Sequence, residues 1–291
     1  MKHNTPLNYC VIGPTAIGKS DYAIQLAQKI GAEIVSVDAY QVYKHMDIGT
    51  AKVSKAQQAL VPHHLIDILE PHQPYSVQDF LNRSHAILTE KNKAGIPVVF
   101  CGGTGLFVRA FLYQYNMPKA SPKPELRQRL NDEYDAGKAE QLWQRLQDID
   151  PITASRIHPN NKHHLVRALE LYHITNQKPS DIKSQGHIRD DVTLVGLTAD
   201  RSRVIERINQ RVDIMIKDGL IDEVKGLLDK GYHEHMQALK CIGYKEAIQQ
   251  LKGGISHEEM IDLIKLNTKR FSKQQMTWFK KIENVQWKNI L

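Results

Sequence analysis

The chain has 291 residues, of which 41% are hydrophobic and 24% are charged, as is ordinary for a globular protein. This length suggests one large domain, or a core with a smaller appendage. No apolar run approaches the roughly 20 residues that a membrane-spanning helix needs. The first residues, Met1 to Asn4, carry no signal-peptide core. We therefore expect a cytoplasmic protein with no membrane partner.

The formal net charge is +7 and the sequence pI is about 9.1, with positive charge heaviest toward the C-terminus. This balance is mild evidence for a polyanionic partner, since many enzymes are equally basic. The cysteines, Cys10, Cys101 and Cys241, are scattered and form no C-x-x-C pair. We expect reduced thiols rather than a disulfide framework or a zinc site.

A P-loop pattern, G-x-x-x-x-G-K-[ST], follows a predicted strand at Tyr9 to Ile12 and precedes a predicted helix from Lys19 to Ile30. Such a loop turns its N–H groups toward a chain of phosphates, and the helix N-terminus adds positive potential. Lys19 would reach the terminal phosphates and the Ser20 hydroxyl would ligate Mg²⁺. The expected phosphate-binding residues are Gly13, Pro14, Thr15, Ala16, Ile17, Gly18, Lys19 and Ser20.

A second strand, Glu33 to Val37, ends at Asp38, and a third, Ile96 to Cys101, runs into Gly102-Gly103-Thr104. The carboxyl ends of strands in an open α/β sheet face the ligand crevice, so Asp38 is expected near the phosphates. P-loop ATPases and GTPases usually hold Mg²⁺ with an Asp at a strand end, the Walker B acid. The third strand carries none. Asp38 could therefore serve Mg²⁺ or acid–base chemistry.

A Pro- and Lys-bearing linker at Pro118 to Pro124 marks a candidate boundary. The pattern is helical from there to about Gln185, and a strand returns at Val192 to Leu197. This order predicts an α/β fold with a mainly parallel sheet and an inserted all-helical domain. We expect the core at 1–120 and 191–291 and the insertion at 121–190.

Two basic helices follow the last of these strands. The first, predicted to be capped by Ser202, carries Arg203, Arg207 and Arg211 on one face, which is either a solvated row or an anion-facing one. Spacing alone does not choose among these arginines. The last helix, predicted to begin at the N-cap Ser256, interleaves aromatic and basic residues. That pattern fits an RNA backbone as well as a solvated helix docked by its aromatic side chains.

Three classes of function remain at this point. One is a P-loop small-molecule kinase or ATPase, and another is a transferase whose loop holds a diphosphate leaving group. The third is a nucleotide-binding regulatory module, which would have no need for Asp38 beside the phosphates.

The chain resembles the bacterial tRNA dimethylallyltransferases, also called tRNA isopentenyltransferases, over nearly its whole length. The P-loop is shared by many families, but two further blocks are specific: S-x-D-x-x-Q-x-Y at Ser36 to Tyr43 and D-I-G-T-A-K at Asp47 to Lys52. Phe107 departs from the family, where tyrosine is common. Other matching blocks are Gly102 to Leu106, Arg156 to Asn160, Arg167 to Glu170 and Ile242 to Tyr244.

The resemblance implies a P-loop NTPase-like core and transfer of a dimethylallyl group from dimethylallyl diphosphate. The acceptor is the exocyclic amine of the tRNA adenosine just 3′ of the anticodon. It implies that Thr15 and Arg211 hold the leaving diphosphate with Mg²⁺, and that Asp38 accepts the proton of the amine. The missing Walker B acid is then understandable, because no water attacks a γ-phosphate.

The resemblance also implies contacts with the tRNA anticodon stem-loop in both the core and the insertion, with the target base flipped out of its stack. A monomer is expected. The implied tRNA contacts are Asp38, Ala39, Tyr40, Gln41, Thr104, Arg127, His163, His164, Leu165, Val166, Arg167, Lys240, Cys241, Ile242, Gly243, Tyr244 and Lys245.

Overall fold

A computed structural model describes residues 7–115, 123–182 and 186–290. The chain divides into two compact units, which we call the core unit (1–112 and 188–291) and the helical unit (113–187). The sequence had suggested boundaries after 120 and 190, several residues later. Most of the expected linker, 118–122, lies outside the described residues.

The core unit contains a six-stranded sheet in the order β3-β2-β4-β1-β5-β6, in which every pairing is parallel. Central strands of such sheets are covered by helices on both faces, which is why β1, β2 and β4 are mostly apolar and almost entirely buried. The predicted α/β class and parallel sheet are confirmed. The strands are β1 (Asn8–Ile12), β2 (Glu33–Val37), β3 (His63–His64), β4 (Val98–Gly102), β5 (Val192–Thr198) and β6 (Gln286–Asn289).

Eight helices pack in the described part of the core unit. The first begins at Lys19 and ends at Ile30, as its apolar face predicted, and Gly31 closes it in the left-handed conformation that favours glycine. The helices are α1 (Lys19–Ile30), α2 (Lys55–Leu60), α3 (Val77–Lys93), α4 (Gly105–Leu112), α9 (Arg201–Lys217), α10 (Leu220–Asp229), α11 (Tyr244–Leu251) and α12 (His257–Phe279).

Two predicted helix caps have different outcomes. Ser256 caps α12 in a full capping box with Glu259, as predicted. Ser202 does not cap α9: the helix begins at Arg201 and Asp200 is its N-cap residue. Strand β6 was missed because its residues are all exposed and show no alternation of apolar side chains.

The helical unit has its own hydrophobic core, built from Leu130, Leu142, Leu146, Leu165 and Leu169 with smaller neighbours. Its chain is helical as predicted, with a kink at Gly137, whose φ of +84° is not helical, between two of the helices. The helices are α5 (Pro124–Glu133), α6 (Ala139–Ile149), α7 (Pro151–Ala154) and α8 (Lys162–Thr175).

No helix among the described residues is long and apolar enough to cross a membrane.

Candidate active site

Three neighbouring strands end at one edge of the sheet, and a different polar segment follows each. The P-loop follows β1, Asp38 follows β2, and Gly103-Thr104 follows β4. The Thr104 hydroxyl accepts a hydrogen bond from the Ala39 N–H at 3.1 Å, which ties the last two segments together. The sheet order therefore brings together motifs that are far apart in the sequence.

The P-loop has the strained backbone that phosphate cradles require. Gly18 has φ +97° and Ala16 has φ +64°, both in the left-handed region. A Cβ on Gly13 would lie 2.7 Å from the Leu197 carbonyl oxygen, so only glycine fits against β5. Within the described chain, the N–H groups of residues 16–20 donate to no acceptor. Together they form a preorganised site for an anion.

Lys19 lies at the first position of α1 and bends back over the loop. Its Nζ donates to the Pro14 carbonyl oxygen at 2.8 Å. Burial lowers the pKa of this ammonium from 10.5 to about 8, and the nearby Arg211 charge acts in the same direction. A bound anion would restore the preference for the charged form.

Arg211 of α9 reaches the loop at Thr15: its guanidinium donates to the Thr15 hydroxyl at 3.4 Å. Its pKa is lowered by burial and then by the charge of Arg207, one turn earlier on the same helix. Arg203 is exposed. The three arginines therefore differ in environment: Arg207 and Arg211 lie near the phosphate loop, and Arg203 lies in solvent.

Gln275 of α12 was not predicted from the sequence, yet it is nearly fully buried against the loop. Its Oε1 accepts from the Thr15 N–H at 2.7 Å and its Nε2 donates to the Gly103 carbonyl at 2.9 Å. A Cβ on Gly103 would lie 2.3 Å from that Nε2, so the Gln275 amide can pack here only because residue 103 has no side chain. The only sequence signal was the Gly102-Gly103 pair, which marks a close approach of backbone.

Asp38 is held by its own turn. One carboxylate oxygen, Oδ1, accepts from the N–H groups of Tyr40 at 2.8 Å and Gln41 at 3.2 Å. Oδ2 has no hydrogen-bond partner in the described chain. Burial raises the pKa of Asp38 above 3.8, although the two N–H groups and the Lys19 charge oppose this shift. A fixed carboxylate with one unused oxygen and a raised pKa is suited to accept a proton.

Glu223 of α10, also missed by the sequence analysis, organises the D-I-G-T-A-K loop. Its carboxylate accepts from the N–H groups of Asp47, Ile48 and Gly49 at 2.8 to 3.3 Å, and from the Tyr244 hydroxyl at 2.6 Å. A Cβ on Gly49 would lie 2.4 Å from the Tyr244 ring. The specific glycine of the motif is therefore required by this packing.

An open cavity of about 580 Å³ lies beside the P-loop and is lined mainly by the D-I-G-T-A-K loop and α9. Its polar lining includes Lys52, whose side chain is almost fully buried and donates to Asp47 and Asp67. Arg207 and Arg211 line the side nearest the phosphate loop. Ile214 and Met215 add an apolar wall, so the cavity combines an anion-binding end with an apolar surface.

The segment Lys240 to Lys245 lies close enough to Asp38 for its charge to act on Cys241. Burial raises the pKa of the Cys241 thiol, and the Asp38 charge raises it further. Lys240 and Lys245 are exposed and Ile242 is half-buried. Cys241, Gly243 and Tyr244 are buried, and Tyr244 is fully occupied by its packing against Gly49. The side chains of Cys241 and Tyr244 thus offer little surface to RNA, and the expected RNA contacts of this segment stay predictions.

The helical unit carries the remaining expected RNA contacts. Arg127 and Arg167 are about half exposed, and both donate to the fully buried Glu170 at 2.6 to 3.0 Å. Although burial alone would raise it, these hydrogen bonds lower the pKa of Glu170. His163 and His164 are exposed, whereas Leu165 and Val166 are buried in the unit's core. The last two support the packing of α8, and their expected contact with RNA stays a prediction.

Magnesium was expected at Ser20. The Ser20 hydroxyl is half-buried at the start of α1 and has no hydrogen-bond partner in the described chain. The described residues contain no cluster of three or more His, Cys, Asp or Glu that could hold a metal by itself. This donor set fits Mg²⁺ carried by substrate phosphates and water, since that ion commonly takes few protein ligands.

A family model described as IPP transferase matches residues 41–282, and one described as isopentenyl transferase matches residues 7–61. The chain belongs to the IPP transferase family. The tRNA dimethylallyltransferase of Alkaliphilus oremlandii is 43% identical over 285 residues, covering 96% of this chain and 90% of that protein. That of Geobacillus thermodenitrificans is 43% identical over 280 residues, covering 95% and 88%.

Solved structures agree with this membership of the IPP transferase family. The tRNA isopentenylpyrophosphate transferase from Bacillus halodurans is 38% identical, with a TM-score of 0.72, and the match covers 97% of this chain and 89% of that one. A eukaryotic dimethylallyltransferase acting on tRNA has a TM-score of 0.83 at 24% identity and covers 97% and 73%. The second likeness concerns the fold alone. The resemblance based on sequence motifs is therefore confirmed.

Proposed function

We propose that this chain transfers a dimethylallyl group from dimethylallyl diphosphate to the exocyclic amine of the tRNA adenosine 3′-adjacent to the anticodon, releasing diphosphate. Membership of the IPP transferase family and the names of the relatives support this reaction. Within the site, the observation that supports this reaction is the position of Asp38, directly after β2. Only β4 separates β2 from β1, the strand that leads into the P-loop. An acid–base group and an anion cradle thus share one crevice.

Breaking the allylic C–O bond leaves negative charge on the diphosphate and positive charge on the prenyl carbon. Fixed donors placed where charge develops lower that barrier without rearrangement. The free N–H groups of residues 16–20, the Lys19 ammonium and the Arg211 guanidinium provide such donors. Thr15 contributes by orienting Arg211 through its hydroxyl.

The adenine amine is a poor nucleophile because its lone pair is delocalised into the ring. Asp38 Oδ2 is available to accept a hydrogen bond from this amine and then its proton as the new C–N bond forms. The contacts of Oδ1 with Tyr40 and Gln41 hold the carboxylate in one orientation throughout. Ala39 and Thr104, hydrogen-bonded to each other, form the adjacent wall.

Mg²⁺ is part of the proposal: the Ser20 hydroxyl would hold it, and the bound ion would help neutralise charge on the diphosphate. We further propose that the protein is cytoplasmic and acts as a monomer. The three cysteines are free, which fits a reducing compartment.

For tRNA we propose contacts at the half-buried Tyr40 and Thr104 and the exposed Lys240 and Lys245 of the core unit. In the helical unit we propose contacts at the exposed Arg127, His163, His164 and Arg167. Exposed guanidiniums and imidazoles can pair with phosphates or stack on unpaired bases. The anticodon stem-loop is the proposed target, since only an unpaired loop lets an adenine leave its stack at modest cost.

A kinase or ATPase is the competing function, and Gly102 argues against it. A Cβ there would lie 2.1 Å from the Val37 carbonyl oxygen, so this end of β4 has no room for a Walker B carboxylate. The deciding experiment incubates the protein with unmodified tRNA and labelled dimethylallyl diphosphate and identifies the labelled nucleoside. Labelled isopentenyladenosine is expected. No transfer, combined with rapid ATP hydrolysis without tRNA, would replace the transferase by an ATPase.

A further inference from the structure

Arg207 of α9 carries a charge that nothing in the described chain compensates. Its side chain is half-buried, lines the cavity beside the P-loop, and forms no ion pair or hydrogen bond within the described residues. A Cβ built on Gly18 would lie 3.9 Å from its terminal nitrogen. The guanidinium is therefore positioned over the loop residue that precedes Lys19.

Arg207 and Arg211 are neighbours on one face of α9. Four residues of α-helix separate their Cα atoms by about 6 Å along the axis, and Arg207 lowers the pKa of Arg211. Arg211 contacts the loop at Thr15, whereas Arg207 lies against Gly18. The two guanidiniums thus reach opposite ends of the same cradle.

Like charges held this close, with Lys19 beside them, are costly unless an anion lies between them. Burial and Arg207 lower the pKa of Arg211, and the carboxylate that opposes them is Asp21. Asp21 accepts a hydrogen bond from Gln57 and forms no ion pair with either arginine among the described residues. The free protein therefore holds a repulsive arrangement that ligand binding would relieve.

We infer that Arg207 is a second diphosphate-binding guanidinium, which closes the Gly18 end of the loop over the leaving group while Arg211 holds the Thr15 end. This inference rests on the proposed function, because it assigns the anion as the diphosphate of the prenyl donor. Two guanidiniums at the two ends would share the charge that develops as the C–O bond breaks, a task suited to their forked donors.

The test compares Arg207→Ala with Arg203→Ala, a control from the same row of α9 that is exposed. Binding of inorganic diphosphate with Mg²⁺ is measured by calorimetry. Arg207→Ala should bind about tenfold or more weakly, as expected for the loss of a hydrogen bond to a charged group. Arg203→Ala should stay within about twofold of the wild type.

A second readout separates binding from folding. Loss of a repulsive charge should leave the melting temperature of the free Arg207→Ala protein unchanged or raise it, while the stabilisation by diphosphate shrinks. Arg207→Lys should recover part of the affinity, since it restores the charge without the fork. A lower melting temperature with unchanged diphosphate affinity would make Arg207 structural and overturn the inference.

The outcome for the proposed function is read separately, from prenyl transfer by the wild-type protein. If the wild type transfers the group and Arg207→Ala binds diphosphate as tightly as Arg203→Ala, only the inference fails. If the wild type neither transfers the group nor binds diphosphate, the proposed function fails and the inference fails with it.

Discussion

At the scale of single residues, the chemistry of the site depends on which polar atoms remain free to bind substrate. Among the described residues, the Asp38 Oδ1 accepts hydrogen bonds from its own turn and Oδ2 accepts none, while the Lys19 ammonium donates to the Pro14 carbonyl oxygen alone. Both side chains lie where burial disfavours charge, so both pKa values are displaced toward neutrality. Such displaced groups are typical of reactive sites.

We expect Asp38→Asn to lower the single-turnover rate of prenyl transfer by about 10²- to 10⁴-fold, the usual contribution of a general base. The amide oxygen can keep the hydrogen bonds from Tyr40 and Gln41, so binding of dimethylallyl diphosphate and tRNA should change little. A turnover rate near that of the wild type would remove Asp38 from the role of base.

The pH profile follows from the same carboxylate. A base must be ionised, so activity is present above the pKa of Asp38 and is lost as the pH falls through it. Because burial raises that pKa above 3.8, the acid limb should lie above the range of an ordinary aspartate. Asp38→Asn should lack this limb in single-turnover assays.

At the scale of elements, the C-terminal helix α12 acts as a clamp on the phosphate loop. Gln275 links the Thr15 N–H to the Gly103 carbonyl, and so joins the segments that follow β1 and β4. Glu223 of α10 fixes another loop, because its carboxylate accepts hydrogen bonds from the N–H groups of Asp47, Ile48 and Gly49. Helices far along the chain thus hold the loops that the motifs identify.

We expect Gln275→Ala to leave the Thr15 N–H buried without an acceptor, which costs about 1–3 kcal/mol of stability. The loop should also lose its fixed geometry, so kcat/KM for dimethylallyl diphosphate should fall by about tenfold. Thermal unfolding and steady-state kinetics measure these effects. Gln274→Ala, an exposed neighbour on α12, is the matched control. Equal behaviour of the two variants would contradict the clamp.

The sequence predicted most elements because their signals are local. The apolar face of α1 and the N-cap of α12 can each be recognised from a short stretch of neighbouring residues, and the structure confirms both predictions. Strand β6 was not, because an exposed edge strand has no buried face to create a pattern. Ser202 was predicted to cap α9 because Ser is a favoured N-cap residue. The helix begins before it, at Arg201, and the Asp200 side chain at the N-cap position makes no capping hydrogen bond.

At the scale of the whole molecule, the net charge of +7 suits a polyanionic substrate. Exposed arginines on the helical unit are pre-oriented by the buried Glu170, which lowers the entropy lost when they bind. The core unit carries exposed lysines at Lys240, just before α11, and at Lys245, in the first turn of α11. The proposed RNA contacts are thus spread over both units.

We expect the affinity for tRNA to fall steeply with salt, since each neutralised phosphate releases counterions. Arg127→Ala should make the slope of log K against log[salt] shallower by about one if Arg127 contacts a phosphate. Lys93→Ala is the control, because Lys93 ends α3, just before the opposite end of β4. A flat salt dependence of the wild type would show that the basic surfaces are only solvated.

The sequence by itself determined the phosphate loop, the strand-end aspartate, the absence of a Walker B acid, and the family, because these are short motifs in consecutive residues. Only the tertiary structure decided which distant side chains complete the site: Gln275 behind Thr15, Glu223 behind Gly49, and Arg207 over Gly18. It also decided which of the expected RNA-contact residues face inward. Tyr244 and Leu165 are both expected contacts and yet are buried. The physical reason is that burial and hydrogen-bond partners depend on contacts across the sheet and between helices, which no local pattern contains.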